Sequence, residues 1–430
     1  MGIIETARTW VYSASVRGTF QRLHRASGLF LQAVLFVTPW LAVGEHPAVQ
    51  IDVPARRLYA FGAIFTPTDT VLLVLMGLFA AFFLFLFTAV YGRLWCGFAC
   101  PQTVVLEEWV RPVEAYIEGE RGVRMARDKG RWTLDKAGRK LLKFTFFGVL
   151  SGGFAMTFVS WFAGATVLWT GRGGVGYYGL VAFLSVLSFL DLAWFREQFC
   201  NYLCPYARLQ GVLCDDHSLV VAYDAARGEP RSGVGACIDC NKCVAVCPQG
   251  IDIRNGFQLE CITCARCVDA CQIVMDKRGQ VNLVGYTTQS GRRDVVRPRT
   301  VAYTALLGVV GIAFVAALAT HDEIDGNVRR SPGSTYTLDA DGWVRNTYLV
   351  RVTSHDEEPH TWSVKVDGLP GGAQVIVAQL TLAGEETATV PLVVRVPAAE
   401  LVARSLPVDV VLTSGDDTLS LAATFLSEGG

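Results

Sequence analysis

Cysteines are the residues of this chain best able to do chemistry. Cys237, Cys240, Cys243, Cys247 and Pro248 spell C-x2-C-x2-C-x3-C-P, and Cys261, Cys264, Cys267 and Cys271 repeat the cysteine spacing. Loops this tight let three thiolates reach one small metal–sulfur cube. The spacing is the bacterial two-cluster pattern, in which the fourth cysteine of each run reaches the other cluster. Cys237, Cys240, Cys243 and Cys271 are therefore expected to hold one [4Fe-4S] cluster, and Cys261, Cys264, Cys267 and Cys247 a second. Two four-cysteine zinc sites would use the same ligand type, but zinc folds commonly separate two CxxC pairs by roughly a dozen residues or more. Gln272 stands where a second proline would be expected, which alters the local turn and not the ligand count.

A second constellation lies outside that segment. Leu94 to Gln102 reads LWCGFACPQ and Gln198 to Tyr206 reads QFCNYLCPY. Both sit just past the ends of apolar runs, so the two halves read as an internal duplication that sets equivalent sites face to face. Cysteines four apart share one face of a helix. Proline then disfavours helical geometry at Cys100 and Cys204 and suits the first turn of a new helix. Cys96, Cys100, Cys200 and Cys204 are expected at helix junctions near positive dipole ends, which would lower their thiol pKa values. Four soft thiolates suit Cu(I), zinc or an iron–sulfur cluster; buried structural cysteine is the plainer use. Cys214, alone near Asp215, Asp216 and His217, reads as packing. Asp191 is an acid inside an apolar run, a functional suspect or a group facing the headgroups.

The elements that must position these thiols are largely apolar. The chain has 430 residues, 51% of them hydrophobic, a formal net charge of −1, and thirteen cysteines confined to the stretch from Cys96 to Cys271. This is a membrane composition, not that of a disulfide-stapled secreted protein or a nucleic-acid binder. No cleavable signal peptide is expected, because a polar stretch precedes the first apolar run. Five runs are near the roughly 20 residues that cross a bilayer: Gly28 to Val43, Val71 to Tyr91, Leu141 to Gly164, Tyr178 to Phe195 and Val301 to Ala319. Trp161, Tyr178 and Trp194 at run ends read as interface anchors. Basic residues cluster before the first run (Arg8, Arg17, Arg22, Arg25), between the second and third (Arg93 to Lys140) and before the fifth (Arg292, Arg293, Arg297, Arg299). The loops Gly44 to Thr70 and Ala165 to Tyr177 hold only Arg56, Arg57 and Arg172. The positive-inside rule then places the amino terminus and the cysteine-rich segment in the cytoplasm and everything after Ala319 outside.

Beyond a short acidic linker the pattern changes. Tyr348 to Thr353, Thr361 to Val366, Gln374 to Gln379, Thr387 to Val396, Asp409 to Thr413 and Thr418 to Phe425 are β-rich, with turn residues at Gly368 to Gly372 and Gly415 to Asp417. They predict an antiparallel immunoglobulin-like β-sandwich. The expected organisation is multi-domain. An α-helical membrane domain of five transmembrane helices covers 1–200 plus 301–319, with a cytoplasmic loop at 92–140. A cytoplasmic segment at 201–300 contains the two-cluster, ferredoxin-like domain, at about 230–280 on its cysteine span. The sandwich occupies 328–430.

Taken together, WCGFACPQTV, FCNYLCPYARLQ, the RGEPR element at Arg227 to Arg231, the eight cluster cysteines and the carboxyl-terminal sandwich resemble the cytochrome c oxidase accessory proteins, the CcoG or FixG-like polyferredoxins. The resemblance spans nearly the whole chain. It implies a cupric reductase in a bacterial inner membrane that converts Cu(II) to Cu(I) for assembly of a haem–copper oxidase. Cys96, Cys100, Cys200 and Cys204 then become candidate copper contacts and sites of reduction. Implied partners are the membrane, copper ions, an unnamed cytoplasmic electron donor, and copper chaperones or oxidase assembly factors; a homodimer is allowed, and no nucleic acid is expected. A quinol dehydrogenase subunit and a non-enzymatic assembly scaffold are the alternatives. Against a haem-linked version, no histidine lies within an apolar run and no C-x-x-C-H occurs. Gly171 to Gly176 lacks the strand-turn-helix context of a nucleotide site.

Overall fold

A long apolar run in lipid can satisfy its backbone only within itself, so it folds as a helix. The computed structural model describes residues 10–44, 46–66, 69–292, 294–320, 324–333, 335–354, 360–377, 380–382, 387–415 and 417–428. It divides into two units, Met1–Phe314 and Val315–Gly430. The main helices in chain order are α1 (Thr19–Val37), α2 (Thr70–Tyr91), α3 (Leu94–Phe98), α4 (Pro101–Val105), α5 (Arg111–Glu118), α6 (Arg121–Lys129), α7 (Leu134–Ala163), α8 (Val175–Leu190), α9 (Pro205–Leu213), α10 (Arg266–Asp276) and α11 (Pro298–Ala319). Among the described residues, four helices are long and apolar enough to cross a membrane: α2, α7, α11, and α8 with its π-helical extension to Phe195. Their apolar side chains point outward, with Val71, Val149 and Ile312 65%, 72% and 73% exposed, a surface suited to lipid rather than water.

The first predicted span needs correcting. Gly28 to Val43 is not one helix: α1 begins at Thr19 and ends at Val37, a 3-10 turn follows at Thr38–Trp40, and Ala42–Val43 is strand. Because α1 carries Arg22 and Arg25, it falls short of the apolar composition of the other four. Its ends nonetheless reach opposite ends of the bundle. At the start, Asp269 of α10 caps it, accepting from Phe20 N at 3.2 Å and Gln21 N at 2.8 Å, a carboxylate on a helix N-terminus. At the finish, Trp161 Nε1 donates to Leu35 O at 3.2 Å, and Trp40 meets Trp169 with ring centroids 6.0 Å apart. Trp161 thus ties two helices together. The same far end carries a small antiparallel sheet (Val49–Asp52, Arg57–Ala60, Ala63–Phe65), held to α7 by Gln50 Nε2 donating to Phe162 O at 3.1 Å.

At the near end, a buried ion-pair network joins the bundle to the cysteine-rich segment. A π-helical turn at Leu106–Val110 joins α4 to α5, and Glu107, Arg111, Glu114 and Glu118 follow one another at spacings of three and four, the interval of helical neighbours. Glu107 pairs with Arg111 at 2.5 Å and with Arg266. Glu114 accepts from both Nη atoms of Arg196, at 3.1 and 3.0 Å, and pairs with Arg124 at 2.8 Å. Glu118 pairs with Lys143 at 3.1 Å. The first turns of α7, charged and outside the predicted run from Leu141, supply Lys136 and Lys140 to the same region. Burial alone would push the Glu107 and Glu114 carboxyls up. Arg111 and Arg266 on the first, and Arg196 and Lys143 on the second, outweigh it and hold both below the ordinary carboxylate value.

In the second unit, polar–apolar alternation builds two antiparallel sheets. One runs Gln374–Val377, Thr387–Pro397, Trp343–Ser354, Ile324–Arg330, with Thr337–Leu338 on the side; the other runs Leu380–Leu382, His360–Asp367, Ser405–Ser414, Asp417–Leu426. Val350, Val352, Leu392, Val396, Val410 and Leu412 fill the space between them, the immunoglobulin-like arrangement expected. The first strand begins at Ile324, inside the stretch predicted as linker. Residues 378 and 379 of the predicted third strand lie outside the described residues.

Removing one partner from a buried ion pair strands the other without solvent, at a cost of about 3–5 kcal/mol. Glu107→Ala is expected to lose stability on this scale, read as a lower Tm and faster proteolysis of the cysteine-rich segment in detergent. The sign of the pH dependence follows from the depressed pKa values. The contribution of Glu107 and Glu114 is complete above the unfolded carboxylate pKa of about 4.3 and is lost as pH falls through the lower folded values. Acid titration of the melting curve should show no loss from this network between neutrality and pH of about 5.

Candidate functional site

The two C-x2-C-x2-C loops fold alike. Asp239 and Thr263 precede the middle cysteine and Asn241 and Ala265 follow it, all four with positive φ, at 55°, 52°, 53° and 57°. Left-handed backbone costs a non-glycine residue about 1–2 kcal/mol, and such strain gathers where function over-determines the chain. Asn241 and Ala265 then start the helices that carry the third cysteine of each trio, Cys243 and Cys267. An antiparallel pair of strands, Val220–Tyr223 and Val284–Thr287, backs the loops, with Val221, Ile253, Val268 and Val284 as core.

Two cavities result. One is lined by Cys237, Cys240, Cys243 and Cys271; the other by Cys247, Cys261, Cys264 and Cys267, with Cys243 at its edge. All thirteen cysteines are free thiols. Burial pushes Cys243 and Cys261 up to about 11, and raises Cys247, Cys264, Cys267 and Cys271 as well. Thiols so placed ionise readily only against bound positive charge, and a donor set of four sulfurs with no carboxylate or imidazole in the lining fits an iron–sulfur cube.

Each C-x3-C-P motif breaks its helix as its proline requires. Cys100 and Cys204 have extended backbone, ψ 125° and 111°, and α4 and α9 start at the prolines that follow. The duplication extends upstream: Gly92 and Arg196, each four residues before the first cysteine, share one unusual conformation, φ 58° and ψ −131° against φ 53° and ψ −122°. Glycine is needed at the first, where a Cβ would lie 2.2 Å from Leu219 O. At the second the strain is sustained by the buried guanidinium, which grips Glu114 and lies 4.9 Å over the Trp10 ring.

Cys96, Cys100, Cys200 and Cys204 are close enough to act on one another's charge. Among the described residues, however, no three His, Cys, Asp or Glu side chains converge as ligands of a single ion. For Cys96, Cys100 and Cys200 the expected lowering of the thiol pKa is overturned. Burial pushes Cys96 up to about 12, with Cys100 adding to it, and raises Cys200 as well. Cys100 also rises, although the backbone amides of Thr103 and Gln102 work against it. Desolvation of a thiolate outweighs a helix of one and a half turns. Asp191 lies beside Gln102 and Cys200, so it faces this site; Cys214 lies by Arg93 and Arg299 at the end of α9.

The two constellations touch. Cys96, Ile262 and Cys264 form one buried cluster with Tyr206 against it, and the Cys96 thiol donates to Gln210 Oε1 at 3.0 Å. A Cβ on Gly97 would lie 2.6 Å from Ile262 O and 3.0 Å from Cys264 N, so α3 can approach the second cluster loop this closely only with glycine there. Reading the cysteines alone misses Gly97, Gln210 and the ion-pair residues Glu107, Arg111, Arg196 and Arg266. It also misses His24, 1% exposed and 3.1 Å from Glu108. The Glu107–Arg111 interval of four residues was the one available signal.

Comparison with known proteins agrees with this geometry. A family described as a 4Fe-4S dicluster domain matches residues 195–289, a 4Fe-4S binding domain matches 73–113, and an IG-like fold at the C-terminal of FixG matches 314–428. The chain is 33% identical to the nitrogen fixation protein FixG of Rhizobium meliloti, over 88% of this chain and 83% of that protein. It is 36% identical to RdxB of Cereibacter sphaeroides, over 83% and 81%, and 34% identical to RdxA of the same organism, over 86% and 81%. With two four-thiol cavities, membrane-length helices and relatives matched along most of their length, the chain belongs to the FixG family of membrane-associated iron–sulfur electron-transfer proteins.

Proposed function

We propose that the chain is a membrane-bound oxidoreductase that reduces Cu(II) to Cu(I) at Cys96, Cys100, Cys200 and Cys204, for assembly of a haem–copper oxidase. The observation that carries this reading is the contact of Cys96 with the Ile262–Cys264 loop. It sets one membrane-proximal thiol against residues that line one of the two cavities. Cys237, Cys240, Cys243 and Cys271 would hold one cluster and Cys247, Cys261, Cys264 and Cys267 the other; when bound, such clusters supply one-electron storage. Cys240 is exposed, where a soluble donor could approach. Soft thiolates prefer Cu(I) to Cu(II), so binding at the four thiols favours the reduced ion. Copper-handling assembly factors would supply and take the ion.

A second reading is favoured by one match: the 4Fe-4S binding domain at 73–113 includes Cys96 and Cys100 as its cysteines. On that reading the four thiols hold a further cluster. Iron content decides between the two. Copper reduction at a bare thiol site predicts about eight irons and eight sulfides per chain, a further cluster about twelve. Exchanging both Cys96 and Cys200 for serine should abolish tight Cu(I) binding and copper reduction and leave about eight irons in place. A fall from about twelve to about eight selects the further cluster, and copper reduction undiminished in the double variant sinks the copper reading.

We further propose that the amino terminus and the two cluster sites face the cytoplasm and the second unit faces outward, because the basic residues flank the near end of the bundle. A reporter fused after Ser427 should be active only outside the cytoplasm, and one after Gly279 only inside. Both on one side would refute this orientation.

A further inference from the structure

We propose that Arg93, Arg111 and Arg266 give the cluster at Cys247, Cys261, Cys264 and Cys267 the higher reduction potential of the two, making the buried site the stronger electron acceptor. This rests on the reading that both cavities hold clusters. The potential of such a cluster depends on net charge, on hydrogen bonding and on exposure. Burial by itself disfavours the added negative charge of reduction, so the buried site would be the weaker acceptor without compensation.

The compensation lies in the charges around each loop. Arg111 donates to Pro248 O, next to Cys247, at 2.8 Å. Arg266, next to Cys267, donates to Ala14 O at 2.9 Å and pairs with Glu107. Arg93 donates to Leu259 O, two residues before Cys261, and to Ala207 O. Against these three cations stand Glu107, Glu197 at 3.8 Å from Arg111, and Asp269, whose oxygens are taken up by the Phe20 and Gln21 amides; exposed Glu260 is screened by water, and Arg196 beyond them is matched by Glu114. The first site differs in how its charges are exposed. Its Arg254 is held between Asp239 at 2.5 Å and Asp252 at 2.6 Å, and its other cations, Lys242 and Arg278, which donates to Ala236 O beside Cys237, are exposed and screened by water. Low dielectric strengthens fixed charges where the second site is buried. The three arginines are positioning residues, acting on the cluster through the loops they hold.

The test is a redox titration of the purified full-length protein in detergent, followed by electron paramagnetic resonance. Cys240→Ser identifies the first site's signal. The second site should have the higher midpoint in the parent. Arg266→Gln and Arg111→Gln should lower that midpoint and leave the first in place, Glu107→Gln should raise it, and Arg266→Lys should keep the parent value. Opposite shifts from the two sides of one ion pair are a charge effect that loosened packing does not mimic. Should the buried variants fail to fold, Arg93→Gln, nearer the surface, must still show the downward shift. The proposal is overturned if the second midpoint is the lower in the parent, if the arginine variants leave it unmoved, or if Glu107→Gln moves it downward. Iron and sulfide well below about eight per chain in the parent would overturn the cluster reading instead.

Discussion

Glu107 sits where the bundle meets the cysteine-rich segment, 5% exposed, with Arg111 on one oxygen and Arg266 on the other. Through Arg111 it holds the carbonyl beside Cys247; through Arg266, the turn that presents Cys267. An acid in such a place would be neutralised or expelled unless paired. Pairing it with two guanidiniums from different parts of the chain leaves the cluster loops one arrangement against the helices. The π-helical turn that carries Glu107 is a further irregularity of the kind found at functional sites.

From that anchor the rest of the near end follows. Asp269, on the helix that begins at Arg266, caps α1, so the same short helix carries a cluster cysteine and fixes the entrance of the first helix to the bundle. A side chain at Gly18 would collide with that carboxylate. Gly97 brings α3 onto the second cluster loop, and Gln210, fully buried on α9, accepts from Cys96 across the duplicated halves. Tight backbone approach and one thiol hydrogen bond thus join two cysteine sets far apart in sequence.

Duplication has not meant identity. Gly92 and Arg196 adopt the same backbone conformation for different reasons: the first because no Cβ fits, the second because a buried guanidinium between Glu114 and Trp10 holds it there. The two cluster sites differ likewise, one with an exposed cysteine and acids about its arginine, the other buried among arginines. Equal spacing therefore builds two unequal environments.

Much of this was legible in the residue order, because the signals are local. Tight cysteine intervals define the loops, proline after Cys100 and Cys204 ends one helix and starts another, uncharged runs such as Val71 to Tyr91 require helices, and alternation from Tyr348 onward requires strands. Where a local signal was mixed, the reading slipped: α1 combines arginines with an apolar second half, so its start lies upstream of the predicted run. The contact of Cys96 with Cys264 and the pairing of Glu107 with Arg266 were decided by the tertiary structure. So was the direction of the thiol shifts, since a dipole can be read from a helix start but desolvation depends on what covers the sulfur. Sequence alone determined the candidate ligands in kind and the spacing that groups them; which distant side chains they meet, and in what field, depended on burial and on partners far along the chain, quantities no local spacing encodes.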